Sequence, residues 1–128
     1  TKEQVLANLD SKAEQLVDAR GAARFTGVER DPRPHLAPGH IPGSRSLPFS
    51  ELFHADGTWK QGDELEAAFA AAGVDMDRPL VATCGSGMTA CVVAFGAHLL
   101  GKEDVAIYDG SWTEWGADPS TPKATGPA

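Results

Sequence analysis

The sequence predicts an α/β sandwich built on a mainly parallel sheet. Short apolar runs at 15–19, 80–83 and 105–108 alternate with segments of helical periodicity, the order in which strands and crossover helices follow one another in such folds. Their apolar residues stand side by side, as in Leu16-Val17, Leu80-Val81-Ala82 and Val105-Ala106-Ile107, rather than at every second position, as suits strands covered on both faces. The 128-residue length is enough for one domain with a real core.

Taken in order, residues 2–9 place Val5, Leu6 and Leu9 on one face of a short helix, with Thr1 and Gln4 at capping-box spacing. Residues 15–19 form a first buried strand. Polar groups return at Asp18 and Arg20, at the carboxyl end, where open parallel sheets bind ligands. From Gly21 to Pro48 five prolines and four glycines exclude a long helix. That irregular segment also carries Arg24, Arg30, Arg33 and Arg45. A turn at 39–43, a short strand at 44–49 and a helical turn at 50–53 follow. Leu65, Ala68, Phe69 and Ala72 have the i, i+3, i+4, i+7 spacing of an amphipathic helix over 64–72, with Gly73 as its C-cap.

The stretch 80–100, LVATCGSGMTACVVAFGAHLL, organises the rest. A buried strand reaches Cys84, crosses Gly85-Ser86-Gly87, and becomes a helix that ends at Gly101. Glycines at 85 and 87 let the backbone turn steeply and approach a ligand. Backbone N–H groups converge at such a junction, and the helix macrodipole favours negative charge there. Cys84 therefore reads as a thiolate nucleophile in a cradle of amides. Ser86 is the loop side chain able to give or accept a proton, and the Thr89 hydroxyl either faces the sulfur or caps the helix. The competing reading is a buried structural cysteine on a glycine-rich turn. Cys91, on an apolar helix, reads as structural. A phosphatase would need an arginine six positions after the nucleophile to fork phosphate oxygens, and that position is Ala90.

A last buried strand at 105–108 leads into Ser111-Trp112-Thr113-Glu114-Trp115, whose tryptophans read as packing. Residues 118–128, poor in apolar side chains, read as a disordered tail after a domain spanning 1–117.

The net charge of −7 and pI near 4.9 argue against nucleic acid and anionic membrane surfaces as partners. They leave open a small anionic substrate held by a local arginine pair. No stretch reaches membrane-spanning length and no signal peptide is visible. Cys84 and Cys91, seven apart, would lie about 10 Å apart along one helix, too far for a disulfide. Two reduced cysteines point to a reducing compartment, the cytoplasm. His35, His54 and His98 form no metal-ligand pattern, so no metal and no cofactor are expected. The Thr1 start reads as a piece cut from a longer chain.

Several pieces, in order and spacing, resemble the rhodanese superfamily: Leu16-Val17-Asp18-Ala19-Arg20, Arg24-Phe25, Gly39-His40-Ile41-Pro42-Gly43, Cys84-Gly85-Ser86-Gly87-Met88-Thr89, and residues 108–115. Within it the chain is most similar to the second, catalytic domain of 3-mercaptopyruvate sulfurtransferases. The resemblance implies a rhodanese-like three-layer sandwich with a mainly parallel sheet of about five strands flanked by helices. It implies a persulfide cycle in which Cys84 takes sulfur from 3-mercaptopyruvate and hands it to a thiol acceptor, such as thioredoxin, or to cyanide. Thiosulfate-preferring members typically carry basic residues after the cysteine, and mercaptopyruvate-preferring members carry Gly-Ser-Gly, as here.

Two family arginines that hold the substrate carboxylate and keto oxygen map to Arg24 and Arg33. Ser86 is implied in proton movement, and Gly85, Gly87, Met88 and Thr89 in binding the substrate. Asp18 and Arg20 are implied to hold the strand end and loops together, and His40 to belong to a structural turn. Met88 stands where a β-branched aliphatic is more usual. Family enzymes are usually tandem, so an N-terminal rhodanese-like domain is expected in the full-length protein. A thiosulfate:cyanide sulfurtransferase and a non-catalytic persulfide carrier remain as alternatives.

Overall fold

Four strands, β1 (Gln15–Asp18), β2 (Arg45–Ser46), β3 (Leu80–Thr83) and β4 (Val105–Ile107), form a parallel sheet in the order β2-β1-β3-β4. The structure is a computed structural model that describes residues 2–28, 36–85, 89–108 and 110–126. The resemblance implies about five strands, and four are present among the described residues. Register runs from Gln15 opposite Leu80 to Asp18 opposite Thr83, and Leu80 lies opposite Val105. Parallel neighbours need crossovers. These carry α2 (Ala22–Thr26), α3 (Gly62–Ala71) and α4 (Ala90–Leu99), while α1 (Lys2–Ser11) precedes the sheet and α5 (Ser111–Trp115) follows it. All strands end on one edge, where Arg20, Leu47, Cys84 and Tyr108 emerge together.

Side chains alternate across the sheet with period two. Val17, Ala19, Leu80, Ala82 and Cys84 face one core with Leu65 and Phe69 of α3 and Ala90, Val93 and Ala97 of α4. Leu16 and Val81 face a second core with Val5 of α1, Leu36, Ile41, and Trp112 and Trp115 of α5. Helices therefore cover both faces, giving three layers. Gly96 lets α4 settle on the 3-10 turn Phe49–Leu52: a Cβ there would stand 3.1 Å from Leu52 Cδ1.

Three details differ from the expectations. Ala106 and Ile107 of β4 are exposed rather than buried, because β4 is the edge strand of the sheet. Cys91 is exposed, because α4 buries positions 90, 93 and 97 and turns 91, 95 and 98 outward. Residues 118–126 do not form a loose tail. Thr121 is buried, and its hydroxyl donates to the Trp115 carbonyl at 2.6 Å. The Trp115 indole donates to the Pro122 carbonyl at 2.8 Å. Lys2 meets Asp118 at 2.6 Å, and this hydrogen bond, with that from Ser120, holds the Asp118 carboxyl below the usual carboxylate range. A count of apolar side chains overlooks this segment because it is ordered by paired polar groups and by covering Trp115.

Candidate functional site

Cys84 is the first residue past β3, at the carboxyl edge of a central strand, and is 1% exposed. The next turn is fixed from below by α5. A helix leaves its first N–H groups without intrahelical acceptors. Here two of them are used: Trp112 N–H donates to the Cys84 carbonyl at 2.9 Å and Thr113 N–H to the Gly85 carbonyl at 2.8 Å. The Thr113 hydroxyl adds a second bond to Gly85 at 2.7 Å. With the Cys84 carbonyl aimed at α5, the Gly85 N–H faces the opposite way across a planar trans peptide.

Ser111 ties this turn to the strands. It is fully buried, and its Oγ accepts the Cys84 N–H at 3.1 Å and the Thr83 hydroxyl at 3.2 Å while donating to the Tyr108 carbonyl at 2.7 Å. Its φ of 49° is left-handed, which non-glycine residues adopt only when their surroundings hold them there. Beside it the Tyr108 hydroxyl donates to Glu114 at 2.6 Å. Burial, then Glu114, raises the Tyr108 pKa well above that of an ordinary phenol. Glu114 thus holds the Tyr108 hydroxyl among the described residues.

Ser111→Ala is expected to cost about 1–3 kcal/mol, because the buried Cys84 amide and Thr83 hydroxyl both lose their acceptor. Urea unfolding measures the loss, and Ser111→Thr, which keeps the hydroxyl, should recover part of it. A stability change within experimental error in Ser111→Ala would contradict the anchoring role.

Arg24 rises from the same edge. It sits half-buried on α2, which begins after the end of β1, and β1 lies parallel beside β3. Asp18 and Arg20, 2% and 6% exposed, lock the strand end. Arg20 forks onto Asp18, donates to the Gly39 carbonyl at 2.6 Å, and places its guanidinium 4.6 Å from the Trp112 ring centroid. His40 is buried and stacks on Phe25 at 3.8 Å; its Nδ1 donates to the Phe25 carbonyl at 2.6 Å. It serves the turn, as the sequence leads one to expect.

Thr89 precedes α4 with helical dihedrals and makes no capping bond through its side chain. Gly85 follows Cys84 and has its carbonyl held by Thr113, whereas Arg33, Ser86, Gly87 and Met88 lie outside the described residues. Ser111 and Thr113, part of the 108–115 motif, hold the Cys84 turn in a role that the sequence reading did not give them. Their signal was a pair of hydroxyls directly beyond an apolar strand's carboxyl end.

The chain matches the rhodanese-like domain family over residues 1–118. It is 52% identical over 115 residues to the 3-mercaptopyruvate sulfurtransferase of Rattus norvegicus and 52% identical over 116 residues to the thiosulfate sulfurtransferase of Bos taurus. Each alignment covers 90% of this chain and 39% of the relative, so the chain spans about two fifths of the length of those proteins. Among solved structures, the Tum1 protein of Saccharomyces cerevisiae superposes with a TM-score of 0.86 at 30% identity, covering 99% of this chain and 46% of that one.

Proposed function

The chain belongs to the rhodanese-like domain family, and from that premise we propose that it is the catalytic domain of a 3-mercaptopyruvate sulfurtransferase. The observation that carries the reading is Cys84 at the sheet's carboxyl edge, with its own carbonyl and that of Gly85 both held by α5. That arrangement fixes the backbone at Cys84 and Gly85 from the α5 side.

The Cys84 thiolate attacks the substrate sulfur, forming an S–S bond as the C–S bond breaks. The electron pair leaves on the pyruvate enolate, which takes a proton, with Ser86 as the proton-moving group. Cys84 is left as a persulfide. Cyanide or an acceptor thiol then attacks the outer sulfur and returns Cys84 to thiolate. Arg24 and Arg33 hold the substrate carboxylate and keto oxygen, and Gly85, Gly87, Met88 and Thr89 shape the pocket. A guanidinium fork suits a carboxylate, and placing the scissile sulfur over the nucleophile supplies much of the rate.

Equal identity to a mercaptopyruvate and a thiosulfate enzyme does not choose the donor. The Gly85-Ser86-Gly87 loop favours mercaptopyruvate, because it offers no cation to a dianionic sulfur donor. A thiol acceptor such as thioredoxin and an N-terminal rhodanese-like partner domain complete the proposal for the whole protein. Two cysteines not joined in a disulfide suit a reducing compartment such as the cytoplasm. Among the described residues no helix is long and apolar enough to cross a membrane.

Intact mass after mercaptopyruvate is added should rise by one sulfur, about 32 Da, on Cys84, and mercaptopyruvate should load faster than thiosulfate. A clear preference for thiosulfate would overturn the donor assignment. Arg24→Ala should weaken mercaptopyruvate loading about 10- to 100-fold, the value of a charge-assisted hydrogen-bond pair. Discharge of a preloaded persulfide to cyanide should not change. Equal damage to both half-reactions would contradict the carboxylate role.

A further inference from the structure

The C-terminal segment runs across the helix that carries Arg24. Ala124 and His40 exchange backbone hydrogen bonds, N–H to carbonyl, at 2.8 and 2.9 Å. Gly126 N–H donates to the carbonyl of Thr26, the last residue of α2, at 2.7 Å. Gly27, the left-handed C-cap of that helix, lies where a Cβ would meet Thr125 Cγ2 at 3.1 Å. His40 passes the restraint on through its ring, which stacks on Phe25 with planes 3° apart and bonds the Phe25 carbonyl. Phe25 is the neighbour of Arg24. At its other end the segment is fixed to the second core by the Thr121 and Trp115 bonds. A continuous path thus leads from a rigid core, through Ala124 and His40, to α2.

The fit is too close to be incidental. Gly39 has φ of 108°, and a Cβ there would stand 2.2 Å from the Ala124 carbonyl oxygen. The 39–40 turn and the 124–126 strip meet backbone to backbone, with no room for a side chain.

We propose that residues 121–126 are a positioning latch, which sets the angle of α2 and so the placement of Arg24 for a carboxylate-bearing sulfur donor. The proposal rests on the reading of Arg24 as the carboxylate clamp. It assigns the segment a role in substrate affinity, separate from the sulfur chemistry at Cys84. α2 spans only Ala22–Thr26, too short to hold its own conformation in water. Its geometry must come from what it is tied to, and two of its backbone carbonyls, those of Phe25 and Thr26, are tied to His40 and Gly126.

The test compares Ala124→Pro, which removes the N–H donated to His40, with Ala124→Gly, which keeps it. Gly39→Ala attacks the same contact from the other side. Three quantities are read on the intact chain: the concentration of mercaptopyruvate that half-saturates Cys84 loading, cyanide discharge of Cys84 preloaded with inorganic polysulfide, and the thermal midpoint. Ala124→Pro and Gly39→Ala are expected to raise the half-saturating concentration about tenfold, as for a modest misplacement of a positioning group. Discharge should not change, and Ala124→Gly should match the parent. Unchanged half-saturation in Ala124→Pro and Gly39→Ala, with Arg24→Ala still weakened, overturns the latch alone. Loss of both half-reactions together with a lower thermal midpoint reduces the segment to a stabilising role and also overturns it. An Arg24→Ala protein that loads normally overturns the clamp reading, and the latch with it.

Discussion

Cys84→Ser is expected to abolish sulfur loading: no mass gain of about 32 Da after mercaptopyruvate, and no thiocyanate from mercaptopyruvate and cyanide. The reason is electronic. Forming an S–S bond needs a polarisable anionic sulfur, and a serine hydroxyl stays protonated and cannot hold a sulfane sulfur. The fold should survive. Cys84 is 1% exposed within the core that holds Ala82, Ala90 and Val93. Serine nearly matches its volume, so the change adds one hydroxyl to an apolar site, at about 1–3 kcal/mol. Cys91→Ser is the matched control. Cys91 is exposed on the outer face of α4 and should be dispensable for loading. A persistent mass gain in Cys84→Ser, lost in Cys91→Ser, would move the sulfur to the wrong cysteine and sink the proposed mechanism.

The strands, helices α1, α3 and α4 and the place of Cys84 were legible because each depends on local pattern, whereas the short helices α2 and α5 were not read as helices. Apolar runs bounded by breakers mark β1, β3 and β4, and the spacing of Leu65 and Phe69 marks α3. The Asp18–Arg20 lock was expected from the family resemblance, since polar residues at a strand's carboxyl end by themselves point to ligand binding. What escaped depends on distant pairing. Ser111 reaches Cys84 because β3 and β4 lie side by side in a register that brings Tyr108 N–H to the Ala82 carbonyl, and no local spacing encodes that. The outward face of Cys91 escaped for a different reason. Nearly every residue of α4, ACVVAFGAHL, is apolar, so the helical period carries no phase from which to choose the buried side. The exposed edge of β4 escaped because burial depends on neighbours that the strand does not itself specify. The ordered 118–126 segment shows a limit of composition, since Thr121 and Trp115 hold it through hydrogen bonds rather than apolar area.

Asp18→Ala should be among the most destabilising single substitutions at the site edge, by about 3–5 kcal/mol in urea unfolding. The carboxylate accepts the Arg20 backbone N–H at 2.9 Å and the guanidinium at 2.9–3.2 Å, with both side chains at or below 5% exposure. Its removal leaves Arg20 buried with the Gly39 carbonyl as a hydrogen-bond partner and the Trp112 face beside it. A stranded cation in that position is far costlier than a lost surface pair, because water cannot reach it. Against the 5–15 kcal/mol that typically holds a domain together, the loss is about a fifth or more. The comparison with Asp18→Ala/Arg20→Met separates a lost attraction from a stranded charge. Removing both ions should recover much of the deficit, since an apolar pair of similar volume is often neutral in a buried site. Loading of Cys84 should follow a different order. Arg20 lies over Trp112, and Trp112 N–H holds the Cys84 carbonyl, so the double variant regains stability while still lacking the guanidinium that braces the indole. A double variant that recovers stability but loads Cys84 slowly would give the ion pair a role in placing the nucleophile. Full recovery of both would confine it to holding the strand end.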